Sequence, residues 1–281
     1  MIISTDSTAN LPKELYKKLN IKMIPMQIIL NGETYNDLSE ELNIENYYEQ
    51  MKQGATPTTA QINEFSAKEY FENLLKEGKD VLHICFSSAL SGTYNTMVRV
   101  ANELNETNKN KIIVIDSLNA CMGEGLLVLK AAEMRENGKT IEEIETEIKN
   151  LIPTVCSYFT VEQLKYLVRG GRVSKFSGIV GSVLNIKPIL RVDDNGKLVS
   201  YKKVITRKKA INELANIATN KIADKNYCYI CHTICENDAN KLVEQLKDTV
   251  GVNPIITDLT QVIGCHTGPG LIAVFFFGSE R

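Results

Sequence analysis

Two short apolar runs, VLHICF (81–86) and KIIVID (111–116), constrain this chain most. Each is continuous rather than alternating and is bounded by polar turns, the pattern of a strand covered on both faces in a parallel sheet. Each leads through a polar loop, SSALSGTYN (87–95) or SLNACMGEG (117–125), into a helical stretch. MIIST (1–5) is a third such strand, running into DSTAN. Strand and helix in alternation build an α/β sheet.

The pattern predicts a helix over 11–20, with Asn10 as cap and Pro12 in its first turn. IKMIPMQIIL (21–30) reads as one strand that turns at Asn31-Gly32. Helices follow over 42–54 and 62–78, with ATPTTAQ (55–61) as a loop between them. TIEEIETEIKNLI (140–152) opens on a capping box, Thr140 and Glu143. After Pro153 the pattern changes. TVCSYFTV, a helix, a basic glycine loop and the helix SGIVGSVLNI (177–186) come first. KPILRV and LVSYKKV then flank the turn DDNGK, so antiparallel pairing enters. A helix over 206–222, the strand YCYICHT, a helix, and the strand NPIITD complete the chain up to its last segment. The expected fold is α/β with two α/β domains: a parallel-sheet domain over 1–152 and a mixed-sheet domain over 153–281.

Charge and composition exclude several classes. A formal net charge of −2 over 281 residues gives no basic excess for nucleic acid. The N-terminus lacks the basic and apolar regions of a signal peptide. The longest apolar run, LIAVFFF (271–277), is strand-sized and too short for stable membrane insertion. Seven cysteines without a framework fit a reducing, cytoplasmic compartment.

Phosphate-binding and dinucleotide-binding glycine loops are missing, as is a nucleophile elbow. Cys228 and Cys231 form a C-x-x-C with His232 and Cys235 nearby. Residues three apart on a strand point to opposite faces, however, and no second ligand pair follows, so no metal is expected. Cys121 and Cys265 could be nucleophiles but read as small buried hydrophobes. Three polar loops remain. One offers Thr58, Thr59 and Gln61; another Ser88, Ser91, Gly92, Thr93 and Asn95. The third holds His266 and Thr267 in the small-residue turn GCHTGPG. A cap or turn hydrogen bond explains any one hydroxyl. Gathered beyond the carboxyl ends of strands, they would suit a carboxylate or phosphate. Ser91 and His266 would also serve a hydrolase or phosphotransferase acting alone on a small acid, although no orienting acid or oxyanion hole is identifiable. RGGRVSK (169–175) places Arg169, Arg172 and Lys175 on a loop that is either solvated or a contact for an anion or an acidic partner.

Taken in order, STDSTANLP, TTAQ after Pro57, SSALSGTYN, IDSLNACMGEG, YLVRGGRVSK with NIKPIL, and HTGPG resemble the DegV family along the entire chain. The resemblance implies a fatty-acid-binding protein of two α/β domains, the lipid enclosed near their junction, mainly in the C-terminal half. It implies the acyl-binding subunit of a bacterial fatty acid kinase, with no cofactor of its own. ATP and magnesium would sit on the partner kinase, which would phosphorylate the carboxylate. By resemblance Thr59, Ser91 and His266 hold that carboxylate, the imidazole being protonated when the acid binds. Thr58, Gly92, Asn95 and Thr267 stand beside them, and Arg172 matches an arginine near the pocket mouth. This chain departs from the family at Ala60, where serine is usual, at Ile62, where proline is usual, and at Asn95, where glutamine is common. SGIVGSVLNIKPIL (177–190) and LIAVFFF could line the acyl tunnel or be ordinary core. A lipid-sensing regulator is the remaining alternative.

Overall fold

A computed structural model of the chain describes residues 1–173 and 186–281. Lys175 and the helix expected over 177–186, apart from Ile186, lie outside the described residues. The first half runs β1 (Ile2–Asp6), α1 (Lys13–Lys18), β2 (Ile21–Ile24), β3 (Gln27–Leu30), β4 (Glu33–Asn36), α2 (Ile44–Lys52) and β5 (Thr58–Ala60). It continues through α3 (Glu64–Leu75), β6 (Val81–Cys85), α4 (Thr93–Asn105), β7 (Ile112–Asp116), α5 (Met122–Glu136) and α6 (Ile141–Leu151). The second half runs β8 (Val155–Thr160), α7 (Lys165–Arg169), β9 (Ile186–Val192), β10 (Leu198–Ile205), α8 (Arg207–Lys221) and β11 (Ile222–His232). It ends with α9 (Glu236–Val250), β12 (Ile255–Asp258), α10 (Gln261–Thr267) and β13 (Ile272–Gly278).

The four-stranded sheet β2-β1-β6-β7 is parallel throughout. Every residue of β1 and β6 is buried, as their unbroken apolar runs require. The six-stranded sheet β10-β9-β8-β13-β11-β12 is mixed, with β11 and β12 parallel and the other pairs antiparallel. α5 lies between the two sheets. It packs on β1 and β6 on one side and on β8, β11 and β13 on the other. Met122 to Leu129 are all buried, so the first two turns of α5 have no solvent face, while Glu133 and Glu136 near its end are exposed. α3 and α4 cover the outer face of the parallel sheet, and α8 and α9 that of the mixed sheet.

Three local expectations are corrected. Residues 21–30 form two strands, because Pro25 cannot donate to a ladder and the chain leaves the parallel sheet there. β3 instead starts a small antiparallel sheet, β4-β3-β5. That sheet recruits Thr58–Ala60, expected as loop, through pairing of Thr59 with Ile28. Asn10 does not cap α1. It takes a left-handed conformation, φ 56°, and Pro12 precedes the helix. Its side chain donates to Asp258 O (3.0 Å) and Thr257 Oγ1 (3.1 Å) and accepts from Thr260 N (2.7 Å), joining the two halves. The capping box on α6 forms as expected.

Where α5 meets β1, two carboxyls are buried together. Asp6 Oδ1 accepts from Thr8 N (2.9 Å) and Oδ2 from Phe86 N (3.1 Å). Glu124 Oε1 accepts from Thr5 Oγ1 (2.8 Å), while Thr8 Oγ1 meets both Asp6 Oδ1 and Glu124 Oε2, the latter at 2.9 Å. A hydroxyl has one proton, so one of the two carboxyls must donate to the Thr8 oxygen. The two N–H donors favour the anion at Asp6, which leaves the proton on Glu124. Burial, reinforced by Asp6, accordingly holds Glu124 well above the usual carboxylate range. Its contribution to stability is complete below the ordinary value of 4.5 and is lost as pH rises through the folded-state value. Glu124→Gln can reproduce both hydrogen bonds without a titrating proton. Denaturant midpoints should fall with rising pH in the wild type, at most about 1.4 kcal/mol per pH unit from this group, and fall less in Glu124→Gln. Equal slopes would show that Glu124 is ionised in the fold.

Candidate functional site

The loops at the carboxyl ends of β1 and β6 part where the strand order reverses, the usual position of a ligand crevice in a parallel sheet. A cavity of about 300 Å³ opens there. Its wall is largely apolar. Met26, Phe86, Leu90 and Cys121 come from the first half; Phe159, Leu167, Val192, Leu198, Leu259, Val262, Ile263, Leu271, Ala273 and Phe275 from the second. Residues 177–185, expected to help line a tunnel, lie outside the described residues. Of the apolar run 271–277, Leu271, Ala273 and Phe275 do line the cavity.

A polar patch interrupts this wall. Thr59 Oγ1 lies 2.8 Å from His266 Nε2. Gly170 backs the imidazole so closely that a Cβ there would stand 2.3 Å from Nδ1. Arg172 donates through Nη1 to Gly170 O (2.6 Å) and through Nε to Leu90 O (3.2 Å). Ser91 and Gly92 follow in the chain, and a Cβ on Gly92 would meet Gln61 Oε1 at 2.1 Å. Thr59, Gln61, Ser91, Gly92, Arg172, His266 and Thr267 all face the cavity.

Two expected residues are not brought in. β5 alternates, so Thr59 points inward and Thr58 to solvent. Asn95 is exposed on α4 and does not line the cavity. His266 occupies the last turn of α10, a helix rather than the expected turn. The turn begins at Gly268, whose φ of +74° and position, with a would-be Cβ 2.1 Å from the Tyr166 ring, admit no side chain. Ser91 does local work as well: its Oγ accepts from Thr93 N (3.2 Å) and lies 3.0 Å from Thr93 Oγ1 at the start of α4.

Burial, together with the Arg172 and Arg169 guanidinium groups, pushes His266 down to about 4. The imidazole is therefore neutral at pH 7 in the free protein. Cys265 donates to Pro57 O (3.1 Å), and burial pushes its thiol up to about 11, so it stays protonated at pH 7. Cys228 and Cys231 sit in different cores on opposite faces of β11 and cannot chelate one ion. Thr8 and Ser157 also line the cavity and escaped sequence reasoning. Thr8 lay unnoticed in the opening motif. The only mark of Ser157 was a polar residue inside an apolar strand; its Oγ donates to Asn119 Oδ1 (2.7 Å).

The DegV family profile, described as an uncharacterised protein family, matches residues 1–279. The chain belongs to the DegV family. A DegV domain-containing protein of Clostridium perfringens is 39% identical over 285 residues, covering 100% of this chain and 98% of that protein. Among solved structures, a DegV lipid-binding protein of Thermotoga maritima superposes with a TM-score of 0.87 at 31% identity, covering 100% of this chain and 99% of that one. Bacillus subtilis DegV, a fatty-acid-binding protein, gives 0.85 at 32% identity, covering 99% of each chain. No helix among the described residues of this DegV protein is long and apolar enough to cross a membrane.

An NMR titration of the free protein should place the His266 midpoint near 4. Gly170→Ala, which must displace the ring, should move that midpoint while leaving the fold's spectrum otherwise intact. A wild-type midpoint near the ordinary 6.5 would show that the imidazole is hydrated and not enclosed.

Proposed function

We propose that this chain binds one long-chain fatty acid, the tail in the apolar cavity and the carboxylate against Thr59, Ser91 and His266. The observation that carries this reading is the Thr59–His266 pair set in an otherwise greasy wall. A carboxylate there accepts from the two hydroxyls and from the ring. It also turns the local field in favour of an imidazolium, which the free site disfavours. The tail supplies most of the affinity, at about 0.8 kcal/mol per buried methylene or roughly 10 kcal/mol for sixteen carbons before ordering costs. The relatives of Thermotoga maritima and Bacillus subtilis described as lipid- and fatty-acid-binding support the ligand class.

In this reading the protein is a cytoplasmic carrier, organised as one α/β domain over 1–152 and another over 153–281. It presents the carboxylate, near Arg172, to a separate kinase. The kinase would bring ATP and magnesium and form the acyl phosphate, so the bond-making chemistry is the partner's. The geometry does not favour a hydrolase acting alone. Among the described residues His266 Nδ1 has no carboxylate partner, and Ser91 Oγ is engaged with Thr93 rather than with the ring.

Native mass spectrometry followed by solvent extraction should find a fatty acid bound to the purified protein. His266→Ala and Ser91→Ala should each cost about 1.5–3 kcal/mol of binding, roughly ten- to a hundredfold in affinity, because each removes a hydrogen bond to a charged group. With the kinase and ATP present, both variants should form less acyl phosphate. An empty protein that also refuses added fatty acid would overturn the ligand. Turnover of the acid without any partner would overturn the carrier role.

A further inference from the structure

Cys121 Sγ and Cys231 Sγ lie 3.6 Å apart, both buried, and 110 residues apart in sequence. Cys121 immediately precedes α5 and lines the cavity; Cys231 is on β11, behind it. Cys121 has a φ of 55°, unusual for a residue with a side chain, and this conformation turns its backbone where the two halves meet. Cys231 Sγ also lies 3.3 Å from Thr257 Oγ1 and 3.6 Å from Asn10 Nδ2, the side chain that joins the halves. Of the other five cysteines, Cys85, Cys156, Cys235 and Cys265 are hydrogen-bonded to other partners, and Cys228 is buried in the core under α8 and α9.

We infer that Cys121 and Cys231 are a modification site: a hydroperoxide entering the cavity converts them to a disulfide that ties the start of α5 to β11. This goes beyond the ligand reading, since it depends on the thiol pair and on access through the cavity, not on what normally fills it. The Cys121 sulfur attacks one peroxide oxygen and the O–O bond breaks. The thiol proton leaves with the departing oxygen as water, or as an alcohol from an organic peroxide, and a sulfenic acid remains. The Cys231 sulfur then displaces that hydroxyl, its own proton completing a second water. Two thiols are oxidised and one peroxide is reduced. The sulfurs must close from 3.6 Å to about 2.05 Å. Burial and the neighbouring Cys231 hold the Cys121 thiol well above its ordinary range, so the reaction should quicken as pH rises.

The test is to treat the full-length protein with excess hydrogen peroxide, block free thiols in denaturant, and map the cysteines by mass spectrometry. The expected product is a Cys121–Cys231 cross-linked peptide, reversed by dithiothreitol, with an unfolding midpoint raised by roughly 5–10 °C. In Cys231→Ser the reaction should stop at a sulfenic acid on Cys121 that dimedone traps. The inference is overturned if Cys121 stays alkylatable while other cysteines oxidise. It is equally overturned if wild-type Cys121 proceeds to sulfinic acid while Cys231 remains a free thiol.

Discussion

The spacing of the two sheets is set by one helix, and the site exists because that helix is short of filling the gap. α5 packs on the parallel sheet and on the mixed sheet at once, so the two stand a helix layer apart, farther than the roughly 10 Å of sheets packed face to face. Its first turn starts after Ala120 and Cys121, and both of these line the cavity. Beyond that point the facing walls continue as Thr8, Phe86 and Leu90 on one side and Ser157, Phe159, Ala273 and Phe275 on the other. The cavity is the unfilled continuation of the α5 layer. The proton kept on Glu124 follows from the same wedge. A glutamate in the fully buried first turn of a helix can be neutralised more cheaply than hydrated.

Such a gap becomes a site only if polar groups from distant loops converge on it, and α10 arranges this. The helix follows β12 of the mixed sheet, yet its hydrogen bonds run to the other half. Val262 N donates to Asp37 Oδ1 (3.2 Å), Gln261 Nε2 to Leu42 O (2.9 Å), and Tyr47 Oη to Gln261 O (3.2 Å). Cys265 and His266 add the contacts to Pro57 and Thr59. His266 is therefore fixed by the half of the chain that supplies Thr59 and Ser91. Its imidazole comes to the hydroxyls with little freedom left, which lowers the ordering cost of the proposed carboxylate contact.

Much of this was legible in the sequence, and the losses have physical causes. The parallel strands announced themselves because burial on both faces leaves an unbroken apolar run, and the capping box on α6 is a purely local device. Thr59, Ser91 and His266, which face the cavity, were reached through the ordered family motifs, and neither their spacing nor their neighbours would have revealed them. Residues 21–30 misled because apolar character does not record which sheet a strand joins; only Pro25 hinted at the break. β5 is too short for periodicity, so Thr58 and Thr59 could not be told apart, although pairing with β3 sends them to opposite faces. Asn10 stood where a cap belongs, and its true partners, Thr257, Asp258 and Thr260, are some 250 residues away. A separation of 110 residues likewise hid the pairing of Cys121 with Cys231.

The cavity itself carries an argument about occupancy. Apolar voids left in protein cores cost about 24 cal/mol per Å³. A dry void of about 300 Å³ would on that scale cost roughly 7 kcal/mol, comparable to the entire stability of a domain. Water relieves part of this cost near Thr59, Arg172 and His266. It gains little against Leu259, Leu271 and Phe275, which offer no hydrogen bonds. A fold that kept such a space for structure alone would gain by filling it with larger side chains, yet Ala120 and Ala273 remain small on its wall. The economical occupant is a molecule that is apolar over most of its length and anionic at one end. Its tail recovers the lost contacts, and its head supplies the negative charge that the neutral imidazole and the two guanidinium groups lack.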